Sequence, residues 1–486
     1  MPESLSKTVV QGIRWVTILR IVNRSLDFVR TIVLARLLSP YDFGLAAIGF
    51  IAISMLETFS QTGFQTALIS KKQDIESYLD TAWTVSVFRG ILLFAIMLFS
   101  APLVALFFNS PDAEWVVRII AFSLLISGFQ NIGVLFFQKE LEFDKQFRFE
   151  FSGAVVNFLI TVGLALLLRN VWALVLGGLA ANLFRLAISY MLHPYRPSVR
   201  FNREKFLEMF SFGKWVFISS IVIFLSRQGD DAFLGKLLGI TALGFYQLAF
   251  LIGNIPASEI GGVISKVAFP AYVKLQTSPD KLKEAYLRTV SFVILLSLPL
   301  TGGIIVLAPL FTHTVLGEKW VPVILPLQIL ALSGLFRAVS GAGGALFNSI
   351  GKPRFDFIMN FSRLIIIIIT IYPLTMLWGI AGTSISVLLG ILAAFSVWLR
   401  QSIKESMFCI GDIAPLSAVP LISAFSMCAV LFFMLKIDLY NQTVLMAVSI
   451  IAGVIVYGAM LLFCSRFFKY KAFQEMLSFF RGSREE

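Results

Sequence analysis

The chain has 486 residues, 58% of them hydrophobic and only 14% charged, with a formal net charge of +12 and a mean hydropathy of +0.85. That balance lies well outside the range of soluble globular domains and indicates a membrane protein with no large soluble domain. Lys and Arg are concentrated in loops between apolar spans, so the positive charge reads as membrane topology and not as a nucleic-acid surface.

From the N-terminus, Met1 to Trp15 holds no compact apolar core followed by a small-residue cleavage site, so the first span is expected to be retained. A span needs about 20 mostly apolar residues. On that criterion fourteen spans are predicted, starting near residues 12, 42, 80, 114, 147 and 171, then 212, 241, 286, 321, 355 and 379, and finally 413 and 442. Basic residues such as Lys71, Lys72, Lys139, Lys145, Arg196, Arg200, Lys281, Lys283, Lys352 and Arg400 follow even-numbered spans, whereas the opposite loops are short and nearly free of positive charge. Both termini are therefore assigned to the cytoplasm.

An internal repeat runs through this map. Leu34-Ala35-Arg36-Leu37-Leu38 with Gly44 matches Leu234-Gly235-Lys236-Leu237-Leu238 with Gly244, and Trp15-Val16 matches Trp215-Val216, all at an offset of 200 residues. Six spans, an even number, separate equivalent points. The predicted fold is thus an all-α polytopic membrane protein of about fourteen transmembrane helices: two six-helix lobes related by an axis along the membrane normal, plus two C-terminal helices. The expected divisions are 1–195 for the first lobe, 196–405 for the second, 406–466 for the last two spans and 467–486 for a cytoplasmic amphipathic tail. The connector from His193 to Phe210 mixes Arg196, Arg200, Arg203 and Lys205 with Phe201, Phe206, Leu207 and Phe210. It is predicted to lie as an interfacial helix on the cytoplasmic leaflet, with 196–210 as the linker proper. Phe473, Met476, Leu477 and Phe480 beside Lys469, Lys471 and Arg481 give the tail the same reading.

Seven arginines fall within spans: Arg20, Arg24, Arg30, Arg89, Arg185, Arg227 and Arg337. Each costs about 2.5 to 3.5 kcal/mol at a helix centre, so each is expected to meet a wet cavity, a partner or a ligand. At about 100° per residue, Arg20, Arg24 and Asp27 fall within roughly 60° of one another on the first helix, and Asn23 and Arg30 widen that polar face to about 120°. The repeat mate carries Arg227, Asp230 and Asp231, with Arg227 and Asp231 expected in i,i+4 contact. The first face nets positive and its mate negative, which predicts an anion site biased to the first lobe. Arginine suits that role because it stays protonated and binds phosphate through two parallel N–H groups. Arg24 and Arg89 are its first candidates, with Arg20, Arg30, Arg337 and Arg185 completing the set. The competing reading is structural: closed ion pairs between Arg24 and Asp27 and between Arg227 and Asp231, with Arg20 and Arg185 snorkelling to headgroups. Glu57, Asp27, Arg227, Asp230 and Asp231 are candidates for ion coupling or interior ion pairs.

No phosphate-binding loop is present, so any transport is expected to draw on gradients instead of bound ATP. Cys409, Cys428 and Cys464 lack metal or disulfide spacing, and His193 and His313 stand apart, so no cofactor or metal is expected. The outward loops are too short to carry an enzyme's acid and base groups.

Several stretches resemble the polysaccharide exporters of the multidrug/oligosaccharidyl-lipid/polysaccharide superfamily, the colanic-acid and O-antigen type Wzx flippases. These are Val33 to Leu38 with Phe43-Gly44, Gln138-Lys139-Glu140-Leu141-Glu142-Phe143, Phe269-Pro270-Ala271-Tyr272 with Leu275-Gln276, and Gly317-Glu318-Lys319-Trp320. The resemblance covers about residues 5 to 400 and offers no strict motif that transfers site residues. It implies a two-lobed helical transporter of the bacterial inner membrane. Such a protein moves an undecaprenyl-diphosphate-linked oligosaccharide from the cytoplasmic to the outer leaflet by alternating access, as a monomer, alongside a glycan polymerase and other assembly proteins. The alternatives are a drug or cation antiporter of the same superfamily, which the excess of interior arginine disfavours, and a non-transporting scaffold, which the repeat disfavours.

Overall fold

A computed structural model of the protein describes residues 3–60, 76–140, 142–204, 224–407, 409–436 and 441–468. Every regular element among them is helical. In hydrocarbon only such structure satisfies each backbone N–H and C=O from within one segment. The chain divides into two compact units, 1–244 and 245–486.

The first unit is built from α1 (Glu3–Leu37), α2 (Pro40–Phe59), α3 (Glu76–Phe107), α4 (Asp112–Gly128), α5 (Phe143–Leu168), α6 (Trp172–Leu192) and α7 over 224–238. Helix α3 illustrates why these segments are membrane helices. Leu93, Met97, Ala101 and Ala105 recur every four residues and are buried, while Phe88, Leu92, Ile96, Phe99, Leu103 and Leu106 form a bare stripe on another face, Phe99 being 80% exposed. Such a stripe is an aggregation hazard in water and a natural surface against lipid.

A compact cap starts α2. The Ser39 N–H donates to Asp42 Oδ2 at 2.9 Å, the Asp42 N–H returns a bond to Ser39 Oγ at 3.2 Å, and Pro40 occupies the first helical turn. The same end of the bundle is tied together, because the Val171 N–H donates to Asp42 Oδ1 at 2.9 Å and the Tyr41 hydroxyl to Asp112 Oδ2 at 2.7 Å. Helices α2, α4 and α6 therefore start at one end. At that end α1 also packs on α5 and α6 through Leu34, Leu38, Ala165 and Ala173. The repeat glycines meet there reciprocally. A Cβ on Gly44 would lie 1.9 Å from the Ile240 carbonyl oxygen, and one on Gly244 would lie 1.9 Å from that of Pro40.

At the opposite end, residues 193–202 leave α6 as an extended strap. The interfacial helix expected from 196 is corrected here over residues 196–202. Pro194 and Pro197 oppose helix continuation, and alternate N–H groups find acceptors on α3 instead. Ser198 donates its N–H to Asp80 Oδ1 at 3.1 Å and its hydroxyl to Asp80 Oδ2 at 2.6 Å. Arg200 N–H donates to Thr84 Oγ1 at 3.1 Å and Asn202 N–H to Thr81 Oγ1 at 3.3 Å. The Tyr195 hydroxyl also donates to Asp80, and Asn131 Nδ2 holds the Tyr195 carbonyl at 2.8 Å. The Tyr195 hydroxyl is pushed well above the usual phenol range by burial and by that bond to the carboxylate. Beyond Glu204 the linker, including Lys205 to Phe210, lies outside the described residues, as does the tail from 469.

The second unit contains most of α8 (Ile240–Gly253), a π-helical segment Pro256–Gly261, α9 (Gly262–Leu275), α10 (Pro279–Phe311), α11 (Ile324–Ser349), α12 (Arg354–Lys404), α13 (Ile410–Met434) and α14 (Gln442–Phe468). Helix α12 is two helices: Trp378 and Gly379 leave helical geometry, and Gly379 adopts a φ of 56° that favours glycine. The halves fold back as a hairpin, with Thr375 bonded to Thr383 and Thr370 to Ser386, both at 2.7 Å. The predicted span start near 379 coincides with this break. At one end of the unit Trp398 donates to the Tyr286 hydroxyl at 2.8 Å in a core with Tyr272, Phe347 and Phe355. The C-terminal pair docks on α10, where the Tyr457 hydroxyl donates to the Leu295 carbonyl at 2.6 Å beside Val419, Met427 and Leu461.

Among the described residues nine helices are long and apolar enough to cross a membrane, or ten when α8 and α9, bent by 42°, count as one span. The predicted span starting near 212 falls largely outside the described residues, so fourteen remains the sequence expectation.

Candidate anion site

The first unit carries all the candidate charges except Arg337. On α1, Arg20, Arg24, Asp27 and Arg30 are all half-buried, and the unbroken helix keeps them on one face as the 100° geometry predicts. Asp27 closes an ion pair with Arg30 at 3.0 Å. Arg30 is thereby neutralised within its own helix. On α6, the stem of Arg185 lies against α5 where Gly153 leaves room, since a Cβ there would sit 2.3 Å from Arg185 Nε.

On α7, Arg227 is exposed while Asp230 and Asp231 are buried, so the two members of the expected i,i+4 pair stand in different environments.

The best-defined geometry surrounds Arg89 on α3. Its Nε and Nη2 donate to Ser60 Oγ at 3.0 and 2.8 Å, and Nη2 also reaches the Glu57 carbonyl at 3.3 Å. Ser60 is the C-cap of α2, and its hydroxyl donates in turn to the Leu56 carbonyl at 2.6 Å. The last carbonyls of a helix carry unsatisfied acceptors and partial negative charge, so a guanidinium settles there. Glu57, exposed one turn from the end, adds its carboxylate to the same field. The guanidinium is held by one edge. Its Nη1 makes no protein hydrogen bond among the described residues, leaving donors to receive an anion.

In the second unit Arg337 on α11 donates from Nη1 to Asn254 Oδ1 at 2.9 Å and lies 5.2 Å over the Phe250 ring. Asn254 stands at the break between α8 and the π-helical segment, where Pro256 supplies no N–H to continue the ladder. Broken helices of this type carry polar sites in membrane transporters.

Ser60, Asn254 and Asp80 were not legible as functional partners, because small polar residues in or beside apolar runs carry no distinctive pattern. Arg363, ten residues into α12, is buried at 7% exposure. It meets the same criterion of an arginine inside an apolar run, but its nearness to Lys352 and Arg354 makes it read as a loop charge. Among the described residues no cluster of His, Cys, Asp and Glu is placed to hold a metal ion.

The chain is 27% identical over 395 residues to the lipopolysaccharide biosynthesis protein WzxC of Escherichia coli, covering 80% of this chain and 79% of that protein. It is 23% identical over 333 residues to the succinoglycan biosynthesis transport protein ExoT of Rhizobium meliloti, covering 68% and 67%. Its fold is similar to that of the lipid II flippase MurJ in an inward closed conformation, with a TM-score of 0.75 at 16% identity over 94% of this chain and 99% of that one. The sequence profile of the family described as polysaccharide biosynthesis protein matches residues 33–325, more than half of the chain. Together with the helical fold and the charged interior, that match identifies the chain as a multi-span membrane protein belonging to the polysaccharide biosynthesis protein family.

Proposed function

We propose that this protein moves a lipid-linked, phosphate-bearing oligosaccharide from the cytoplasmic to the outer leaflet of the bacterial inner membrane for surface or exopolysaccharide assembly. The observation that carries the reading is Arg89, a charged group inside a membrane bundle, anchored by one edge while its Nη1 makes no hydrogen bond to the described residues. A diphosphate between lipid and sugar is the group such a donor set recognises, while the polyprenyl chain stays in the bilayer. Family membership and the transport named for ExoT support it.

In this reading the chain transports and does not catalyse. Two lobes, 1–195 and 196–405, alternate access around an undecaprenyl diphosphate headgroup, with 406–466 as an added helix pair and both termini cytoplasmic. Arg20, Arg24 and Arg185 extend the anion path from Arg89, and Arg30 is reserved for Asp27. Arg337 serves the second lobe. The buried Asp230 and Asp231 are the candidates for coupling to an ion gradient, which Asp231→Asn is expected to weaken. A glycan polymerase is the expected neighbour of a monomeric transporter.

The test is a deletion strain analysed for undecaprenyl-linked saccharides, with the glycan mass determined. Accumulation of the completed lipid-linked unit, relieved by the wild-type chain and not by Arg89→Ala inserted at equal level, is the expected result. A normal pool of that intermediate in the deletion strain overturns the reading.

A further inference from the structure

The anchoring of Arg89 has a consequence for a residue with no charge of its own. We infer that Ser60 is a positioning residue for anion recognition: its hydroxyl fixes the Arg89 guanidinium so that the opposite edge is presented to phosphate. The inference rests on the proposed anion site and adds to it the device that orients it.

The geometry is specific. Arginine's value for phosphate lies in its planar fork of donors, and an unanchored side chain spreads that fork over many rotamers. Ser60 Oγ accepts from two nitrogens of the guanidinium, Nε and Nη2, which together define one edge of the plane. A single contact would leave the plane free to rotate, whereas two on one edge set its direction. The hydroxyl proton is directed elsewhere, to the Leu56 carbonyl at 2.6 Å, which leaves the oxygen lone pairs for the arginine. Without the hydroxyl, the longer 3.3 Å contact to the Glu57 carbonyl is the one left among the described residues. The Glu57 carboxylate, on the same turn, is then the nearest competitor for the released guanidinium. Ser60 thus both orients Arg89 and holds it on the helix end.

The repeat sharpens the point. At the 200-residue offset the mate of Ser60 is Ile260, which offers no hydroxyl. This form of anchoring belongs to the first repeat, the one whose first helix carries the positive face.

The test measures binding of farnesyl diphosphate, with farnesol as the neutral control, to the full-length chain in lipid nanodiscs, alongside thermal stability. Arg89→Ala is expected to weaken diphosphate binding by more than tenfold. Ser60→Ala is expected to weaken it by about tenfold, Ser60→Thr to restore it to within about twofold, and Ser60→Ala with Arg89→Ala together to bind no worse than Arg89→Ala alone. Farnesol binding stays unchanged throughout. Should Ser60→Ala fail to fold, Ser60→Gly, which a helix C-cap accommodates, removes the hydroxyl in its place. Full binding by Ser60→Ala or Ser60→Gly while Arg89→Ala binds weakly overturns the role of Ser60 and leaves the anion site standing. Additive losses in the double variant overturn it as well. Unimpaired binding by Arg89→Ala overturns the anion site itself.

Discussion

Arg89 in the first unit and Arg337 in the second occupy comparable stations with different chemistry. Each reaches from a neighbouring helix to the place where the second helix of a repeat ends or breaks, at Ser60 after α2 and at Asn254 after α8. Arg89 meets a hydroxyl and a main-chain carbonyl, and its Nη1 makes no protein hydrogen bond among the described residues. In Arg337 it is Nη1 that is spent on Asn254, and an aromatic face covers the cation. The difference teaches that an arginine at a helix break can be used in two ways: the Arg89 guanidinium is anchored along one edge by a hydroxyl, whereas that of Arg337 is held by an amide and covered by a ring. The Arg337 arrangement resembles a packed interior contact, which stiffens a broken helix.

That contrast can be broken by substitution. The largest effect is expected for Arg89→Ala, a loss of glycan export of about a hundredfold at unchanged membrane level, read by surface polysaccharide and immunoblot; such a change removes a charged group's binding contribution of a few kcal/mol. Asp80→Ala comes next, because one carboxylate accepts from Tyr195 and twice from Ser198. A stability loss of about 2 kcal/mol and faster proteolysis at the strap are expected, followed by limited trypsin digestion near Arg200. For Arg337→Gln a smaller loss of about 1 kcal/mol in thermal stability is expected, with export reduced only severalfold; a loss of export equal to that of Arg89→Ala would erase the proposed contrast.

The smallest effect concerns pH. The His193 ring stacks on Phe136 at 5.5 Å and lies against Gly133. Burial first, and the nearby Lys145 cation second, hold its pKa below the ordinary value. The folded strap therefore binds fewer protons than the unfolded chain once pH falls below about 6.5, and stability declines with acidification through that window and down to the lowered folded value. Above it the ring is neutral in both states and contributes no pH dependence. Thermal unfolding of His193→Gln between pH 7.5 and 5 is expected to lack this component.

Much of the fold was legible because membrane physics simplifies the code. Apolar length gave the polytopic helical class and a span start near 379, where Trp378 and Gly379 break α12, and an arginine deep inside an apolar run stood out unless, like Arg363, it lay close to loop charges. Partners were far less legible. The strap between α6 and α7 reads from its Arg and Phe residues as an amphipathic helix, and only its docking on Asp80, more than a hundred residues earlier, explains why its backbone stays extended. Arg227 and Asp231 have i,i+4 spacing and share a face of α7, yet one is exposed and the other buried. Spacing along a helix fixes which residues share a face. It does not fix whether that face looks inward, and Ser60 could be found only once α2 and α3 were placed side by side.

In the proposed reading, Arg89 recognises the phosphate of a lipid-linked saccharide during its passage to the outer leaflet. The most direct measurement is the leaflet distribution of a radiolabelled undecaprenyl-diphosphate saccharide in cells carrying the wild-type chain, Arg89→Lys or Arg89→Ala. A membrane-impermeant reagent applied to spheroplasts scores the outer leaflet. The wild-type chain is expected to expose most of the labelled lipid, Arg89→Lys a fraction of it, and Arg89→Ala almost none. Equal outer-leaflet labelling in all three would contradict the claim.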